Sequence, residues 1–227
     1  IKRFVYEERR FTLEELRRML AANFAGYEAE RRLLRERAPK YGNDDPEVDA
    51  LAGQAARDFG AECLRYRTPA GGQFWSLMAA NTSNIDGGKH VGATPDGRLA
   101  QQPLSDAGSP TFGCDLNGPT AVVQSIARVD YRWHPGGNVI NMKFHPSALQ
   151  GEAGLAGLAA LIRTCFNLGG SQLQFNTTDR AVLKEAMRTP ERYRDLVVRV
   201  SGFSGYFVEL HPDVQQDVLA RTEHHFA

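Results

Sequence analysis

The sequence has no net charge, no long apolar run and little cysteine. Its 227 residues include 27 basic and 27 acidic side chains, so the formal net charge is zero. This balance excludes a broadly basic surface, and we expect no nucleic-acid or anionic-membrane partner. No apolar run approaches the roughly twenty residues of a transmembrane helix, and no signal peptide opens the chain. We therefore expect a cytoplasmic protein without a membrane partner.

The three cysteines, Cys63, Cys114 and Cys165, have neither the spacing of a zinc site nor that of a disulfide framework. Reduced thiols are therefore expected. Cys63 and Cys165 fall on apolar positions of predicted helices, where a cysteine usually packs as a small hydrophobe. The six histidines also lack a metal-ligand spacing such as His-x-x-x-His on a helix face. We predict no metal site.

The first half of the chain begins with helical signals. Apolar residues make up 42% of the chain and charged residues 24%, which is typical of a globular protein with a substantial core. The capping box Thr12-Leu-Glu-Glu15 predicts a helix from about residue 12 to residue 37. Asp45 as N-cap and Pro46 at the first position predict a second helix. Residues 70–117 have no helical period, and residues 74–84 are predicted as a strand.

The second half alternates between helical and strand patterns, which predicts parallel strands joined by crossover helices and hence an α/β fold. The predicted helices are residues 119–129, 152–167, 179–188 and 212–221, and the predicted strands are residues 138–144, 172–176 and 196–200.

A finger loop is predicted near the C-terminus. Two β-type runs, residues 196–200 and 206–210, flank the small-residue tip Ser201-Gly-Phe-Ser-Gly205. On this local pattern alone, the tip is an ordinary β-turn that uses glycine for its backbone freedom.

The finger and several other segments resemble the glycyl radical enzymes, a family that includes pyruvate formate-lyase and related dehydratases and lyases. Phe203 departs mildly from the family, which usually has Tyr there. The resemblance covers essentially the whole chain, but only the C-terminal part of a much longer enzyme. The matching segments are Arg199–Gly205, Gln215–His224, Lys40–Asp45, Val91–Arg98 and Gly113–Ala121.

The resemblance implies that Gly202 stores an unpaired electron and is the catalytic residue. A separate activating enzyme, which uses S-adenosylmethionine and an iron–sulfur cluster, would install the radical, and the chain itself would bind no cofactor. The implied fold is the C-terminal part of the family barrel, with parallel half-barrel strands around the finger. We expect a barrel portion at residues 1–145 and a glycine radical domain at residues 146–227.

The family also uses a cysteine as a thiyl radical, normally in an upstream Gly-Cys-x-Glu motif. Gly113-Cys-Asp115 is only superficially similar, because it lies in a segment that matches a downstream part of the family. We therefore do not assign Cys114 as the thiyl residue. A missing N-terminal portion or a larger partner chain is expected to supply that cysteine, so the chain would be a truncated piece or a split subunit of a homo- or hetero-oligomer.

The ending Arg221-Thr-Glu-His224 resembles the dehydratase and lyase branch, whose small-molecule substrates include diols, choline, hydroxyproline and isethionate. The alternatives are an acyltransferase of the pyruvate formate-lyase type, a small radical-carrying spare subunit, and a binding domain in which the glycine tip is structural. Arg199 would either orient the finger or pair with a buried acid. The resemblance also implies an anaerobic cytoplasm, because oxygen would cleave the chain at Gly202.

Overall fold

The computed structural model describes residues 1–225. The chain divides into two compact units, the first comprising Ile1–Pro39 and Ser83–Leu104 and the second Lys40–Thr82 and Ser105–Ala227. Within the described residues, no helix is both long and apolar enough to cross a membrane.

Eight α-helices and five β-strands are found in residues 1–225. The helices are α1 (Leu13–Ala21), α2 (Glu28–Arg37), α3 (Pro46–Cys63), α4 (Ser83–His90), α5 (Gly118–Ala127), α6 (Gly151–Asn167), α7 (Arg180–Arg188) and α8 (Pro212–Ala220). The strands are β1 (Asn141–Phe144), β2 (Gln174–Asn176), β3 (Val197–Arg199), β4 (Ser204–Tyr206) and β5 (Glu223–His224).

The single helix predicted for residues 12–37 is wrong, although its start is confirmed. Thr12 Oγ1 accepts from the backbone nitrogen of Glu15 at 3.1 Å, which completes the predicted capping box. The helix breaks after Ala21 because Asn23 and Phe24 both adopt left-handed backbone, with φ of 50° and 62°. This turn lets Phe24 enter the core of the first unit, which consists of Phe4, Phe11, Leu16, Met19, Phe24 and Leu34.

The strand predicted for residues 74–84 is also wrong. Phe74, Trp75 and Leu77 are exposed, and Met78 alone joins an isolated bridge, with Asn138. The run ends in helix α4, so residues 70–117 do contain a helix. The apolar residues of this run therefore lack the paired neighbouring strand that a β-strand requires.

Helix α3 begins where it was predicted to begin. The face that it buries is not the one that carries its large apolar side chains. Asp45 Oδ1 accepts from the backbone nitrogen of Val48 at 3.1 Å, so the N-cap is confirmed. Leu51 and Phe59 are exposed, whereas Asp49 is buried and contacts Arg128 Nη1 at 2.6 Å. The ion pair, rather than the apolar stripe, holds this helix to its neighbours.

A parallel three-stranded sheet forms the centre of the second unit, in the order β2-β1-β5. All four residues of β1 are buried, as expected for the buried-type strand predicted there, although Asn141 and Lys143 are polar. Helix α6 connects β1 to β2 and ends at Asn167, and Gly169 just beyond its C-cap has a left-handed φ of 104° that favours glycine. The predicted α/β class with parallel strands and crossover helices is confirmed. The core beside the sheet consists of Val122, Val123, Ile126, Ile140, Met142, Phe144, Leu161 and Cys165.

The strand that enters the finger pairs with the strand that leaves it, so β3 and β4 form an antiparallel hairpin. Among the described residues, β3 makes no pairing with the parallel sheet, which corrects its expected place in the alternation. The hairpin packs on α7 and α8 through a second core cluster of Leu183, Ala186, Val198, Val200, Phe207, Val218 and Leu219. The finger therefore has a rigid apolar base.

Candidate functional site

Gly202 lies at the exposed tip of the β3–β4 hairpin. The turn closes where the backbone nitrogen of Val200 donates to the carbonyl oxygen of Phe203 at 2.9 Å. Gly202 has a φ of 78°, a left-handed value that disfavours any residue with a Cβ. A Cβ placed there would lie 3.4 Å from Asn81 Oδ1, which is an ordinary contact. The backbone angle, rather than crowding, therefore calls for glycine.

One side-chain oxygen contacts the finger at two points. Gln174 Oε1 accepts from the backbone nitrogen of Gly202 at 3.2 Å and from Arg199 Nε at 2.8 Å. Arg199 Nη1 also lies 3.3 Å from Ser204 Oγ, on the opposite strand of the hairpin. The side chain of Arg199 therefore spans the finger, and its polar contacts with Gln174 and Ser204 are with neutral groups.

A buried polar network lies beneath the tip. Gln174 Nε2 donates to Asn141 Oδ1, and Asn141 Nδ2 donates to Asp106 Oδ2. Ser201 Oγ, next to Gly202, donates to Asp106 Oδ1 at 3.0 Å. Burial raises the pKa of Asp106, while Arg221, Ser201 and Asn141 oppose that rise. The network therefore joins both sides of the tip to one carboxyl group.

Arg221 holds the strand that enters the tip. Its Nη1 donates to the carbonyl oxygen of Arg199 at 3.0 Å, and its Nη2 donates to that of Val200 at 2.6 Å. The same guanidinium lies 3.3 Å from Asp217 and 3.8 Å from Asp106. The buried acids near the finger therefore pair with Arg221.

Comparison with known families agrees with this geometry. The Glycine radical family matches residues 104–208, which include the finger and most of its polar network, and the Pyruvate formate lyase-like family matches residues 1–88. The chain belongs to the glycyl radical enzyme family. The glycine-tipped hairpin lies within the residues that the Glycine radical family matches.

Its relatives are dehydratases and lyases. Trans-4-hydroxy-L-proline dehydratase of Clostridioides difficile is 41% identical over 226 residues, covering 100% of this chain and 28% of the relative. Isethionate sulfite-lyase of Bilophila wadsworthia is 40% identical over 226 residues, which cover 99% of this chain and 27% of the relative. The glycerol-bound structure of the B12-independent glycerol dehydratase from Clostridium butyricum has 43% sequence identity and a TM-score of 0.95. The match covers 98% of this chain and 28% of that one.

These similarities support the dehydratase and lyase branch of the glycyl radical enzymes. The structural neighbours are glycyl radical enzyme barrels, and the parallel sheet of this chain is consistent with part of such a barrel. The chain spans less than a third of the length of these relatives.

The three cysteines lie outside the β3–β4 hairpin. Cys165 is fully buried in the core beside the sheet, and burial raises the pKa of its thiol. Cys114 is buried and lines a cavity of about 250 Å³ together with Tyr41, Met78 and Ser109. Cys63 is half-buried at the end of α3.

The histidines make local structural contacts. His134 is buried with its Nδ1 2.9 Å from Ser76 Oγ, and His224 Nε2 lies 3.1 Å from Asp115. His211 is the N-cap of α8. In residues 1–225, no group of three or more His, Cys, Asp and Glu side chains is placed to hold a metal ion.

The sequence predicts Gly202 as a site residue but does not predict Gln174, Asn141 or Asp106, which form the polar network beneath the tip. Gln174 and Asn141 are polar residues that each stand between two apolar neighbours in a predicted strand, and that departure is the signal which could have pointed to them. Asp106 lies in a segment without regular structure, so no periodic pattern marks it.

Proposed function

We propose that this chain carries the glycyl radical of an anaerobic glycyl radical lyase or dehydratase, with Gly202 as the radical site. The observation that carries the proposal is the exposed glycine at the tip of a hairpin whose base is fixed. Gln174 accepts from the nitrogen of Gly202, and Arg221 donates to the carbonyl oxygens of Arg199 and Val200.

Glycine suits this role for a chemical reason. A carbon radical flattens between its amide nitrogen and its carbonyl group, and glycine has no side chain to clash as it does so. The nearest atoms to a Cβ at this position, Asn81 Oδ1 and Val139 Cγ2, are 3.4 Å and 3.9 Å away. These are ordinary contact distances, so the case for glycine rests on the bonding at the α-carbon and on its φ of 78° rather than on crowding.

The chemistry proceeds by hydrogen-atom transfer. A radical S-adenosylmethionine activating enzyme with an iron–sulfur cluster removes one α-hydrogen atom from Gly202. Gly202 then takes a hydrogen atom from a cysteine thiol, which becomes a thiyl radical, and the thiyl radical takes a hydrogen atom from a carbon of the substrate. Exclusion of water from the assembled site protects these reactive intermediates.

The cysteine that exchanges hydrogen with Gly202 comes from outside this chain, from a further portion of the protein or from a larger partner chain. The sequence supports this view, because Gly113-Cys-Asp-Leu116 has leucine where the family's Gly-Cys-x-Glu motif has its glutamate. The assembly is then a homo- or hetero-oligomer in an anaerobic cytoplasm. We propose residues 146–227 as its glycine radical domain and residues 1–145 as its barrel portion.

The substrate is a small molecule of the kind that dehydratases and lyases cleave. The names of the relatives support this class, since they include a hydroxyproline dehydratase, an isethionate sulfite-lyase and a glycerol dehydratase. The loop that contains Asn81 contributes to the substrate site, because Asn81 lies next to Gly202.

Electron paramagnetic resonance tests the proposal. The assembled enzyme is incubated without oxygen with its activating enzyme and S-adenosylmethionine. We expect a doublet from the remaining α-hydrogen of Gly202, which collapses when that hydrogen exchanges with deuterium and is absent in Gly202→Ala. A wild-type assembly without a signal, under conditions that activate a control enzyme, would contradict the proposal.

A further inference from the structure

The same oxygen atom, Gln174 Oε1, accepts hydrogen bonds from the peptide nitrogen of Gly202 and from Arg199 Nε. We propose that Gln174 is a positioning residue that fixes this peptide group and thereby sets how the unpaired electron is shared with the nitrogen. The inference rests on the proposed radical role of Gly202 and assigns a determinant of that radical within this chain.

The orientation of the Gln174 amide is imposed by its neighbours. The carboxylate of Asp106 accepts from Asn141 Nδ2, so Asn141 presents its Oδ1 to Gln174. Gln174 must therefore present Nε2 to Asn141 and Oε1 to the finger. Arg199 can only donate, which favours the same orientation.

The position of Gln174 is equally constrained. It is paired in register with Asn141 in the parallel sheet, and its side chain is buried. The acceptor oxygen therefore belongs to the rigid centre of the unit, while the glycine it contacts is at an exposed tip. The hydrogen bond that the exposed Gly202 nitrogen donates to this buried acceptor selects one orientation of the peptide plane.

The electronic consequence follows from the bonding at the α-carbon. The unpaired electron is stabilised when its orbital overlaps the nitrogen lone pair, which requires a defined peptide plane. An acceptor on the N–H group increases electron density on that nitrogen. Arg199 is cationic and donates to the same Gln174 oxygen, which makes that oxygen a weaker acceptor for the Gly202 nitrogen. The two hydrogen bonds together therefore set how much electron density the nitrogen gains.

The test compares Gln174→Met with Gln174→Glu in the assembled, activated enzyme, with ¹⁵N-labelled glycine. Gln174→Met removes the acceptor, so we expect a changed nitrogen hyperfine coupling and a radical yield about fivefold lower, the effect of one typical hydrogen bond. Gln174→Glu keeps an acceptor oxygen for Gly202 and Arg199 but loses the donor to Asn141 Oδ1. We therefore expect a radical yield between those of Gln174→Met and the wild type, with a shifted nitrogen coupling because the acceptor oxygen is charged.

Gln215→Met is the matched control. Gln215 Nε2 donates to the carbonyl oxygen of Phe207 at 2.8 Å, so this variant makes the same side-chain change in the same unit without touching Gly202. Its nitrogen coupling is expected to equal that of the wild type, which separates an effect on the radical from general loosening of the hairpin base.

The outcomes distinguish this inference from the proposed function. If the wild type forms no radical, the proposed function and the role of Gln174 are both contradicted. If the wild type forms the radical and Gln174→Met keeps its nitrogen coupling and yield, the inference alone is overturned. Should Gln174→Met fail to fold, the nitrogen coupling of Gln174→Glu decides, since a coupling equal to that of the wild type would overturn the inference.

Discussion

Nη2 of Arg221 donates to the backbone carbonyl oxygen of Val200 at 2.6 Å. This contact fastens the end of α8 to the strand that enters the glycine tip, two residues before Gly202. The two residues are 21 positions apart, and both lie in the segments that resemble the family signature. The C-terminal segment that contains Arg221 therefore helps to hold the finger in place.

Replacement of Arg221 should therefore destabilise the finger. Arg221→Met leaves the buried carboxylates of Asp106 and Asp217 without their cation, which typically costs about 3–5 kcal/mol in the free energy of unfolding. Urea unfolding measures this loss. Arg188→Met is the control, because its ion pair with Glu185 at 3.9 Å is exposed and contributes at most about 1 kcal/mol. Equal losses in the two variants would contradict the role of Arg221.

Gly202→Ala should fold. The left-handed φ of 78° costs a residue with a Cβ about 1–2 kcal/mol, and the nearest atom is 3.4 Å from the added Cβ. Circular dichroism and thermal unfolding should show a modestly destabilised native protein. Gly205→Ala, whose Cβ would meet only the flexible end of Leu210 at 3.2 Å, is the matched variant in the same hairpin and should keep the radical signal. Loss of folding in Gly202→Ala would show that the tip has a stricter structural role.

Protonation of His134 should weaken the protein in mild acid. Burial lowers the pKa of His134 below its ordinary 6.5, against smaller opposing contributions from Ala56 and Asp130. The unfolded chain therefore binds this proton at higher pH than the folded chain. The stability from this group is complete above pH 6.5 and is lost as the pH falls through 6.5 towards the folded pKa.

Unfolding free energies measured between about pH 5 and pH 8 test this, with a contribution to the slope of at most about 1.4 kcal/mol per pH unit. His134→Gln should flatten the dependence in this range. His90→Gln, at an exposed position, should leave it unchanged. An identical pH profile for wild type and His134→Gln would rule out His134 as the source.

Helix α3 should not tolerate a methyl group at Gly60. A Cβ there would lie 2.4 Å from the carbonyl oxygen of Trp133, which is backbone and must shift. We expect Gly60→Ala to lower the free energy of unfolding by about 1–3 kcal/mol. Gly92→Ala, where no atom lies within 4 Å, should change it by less than about 0.5 kcal/mol. Thermal melts of the two variants make the comparison.

Local sequence patterns correctly predicted the helix starts and the strand that depend on a few neighbouring residues. The capping box at Thr12, the N-cap at Asp45 and the buried strand Asn141–Phe144 all follow from neighbouring residues. The break after Ala21 was missed because two non-glycine residues adopt left-handed backbone, which propensities disfavour. The run at residues 74–84 was misread because its apolar residues are exposed.

The polar network could not be predicted in the same way. Gln174 and Asn141 lie 33 residues apart and meet only through the register of two parallel strands. Asp106 reaches Ser201 across 95 residues of sequence. Such contacts form only when the whole sheet and hairpin are folded. The sequence motif therefore predicts the glycine, whereas the residues that contact it are found only from the fold.

The position of oxygen cleavage tests the central claim most directly. The activated assembly is exposed to air and its fragments are measured by intact mass spectrometry, with the unactivated protein and Gly202→Ala as controls. The account predicts cleavage at Gly202 in the activated wild type alone, with a fragment that ends next to Ser201. An activated enzyme that shows a radical signal but is cleaved at another residue, or is cleaved equally in Gly202→Ala, would contradict the assignment of Gly202.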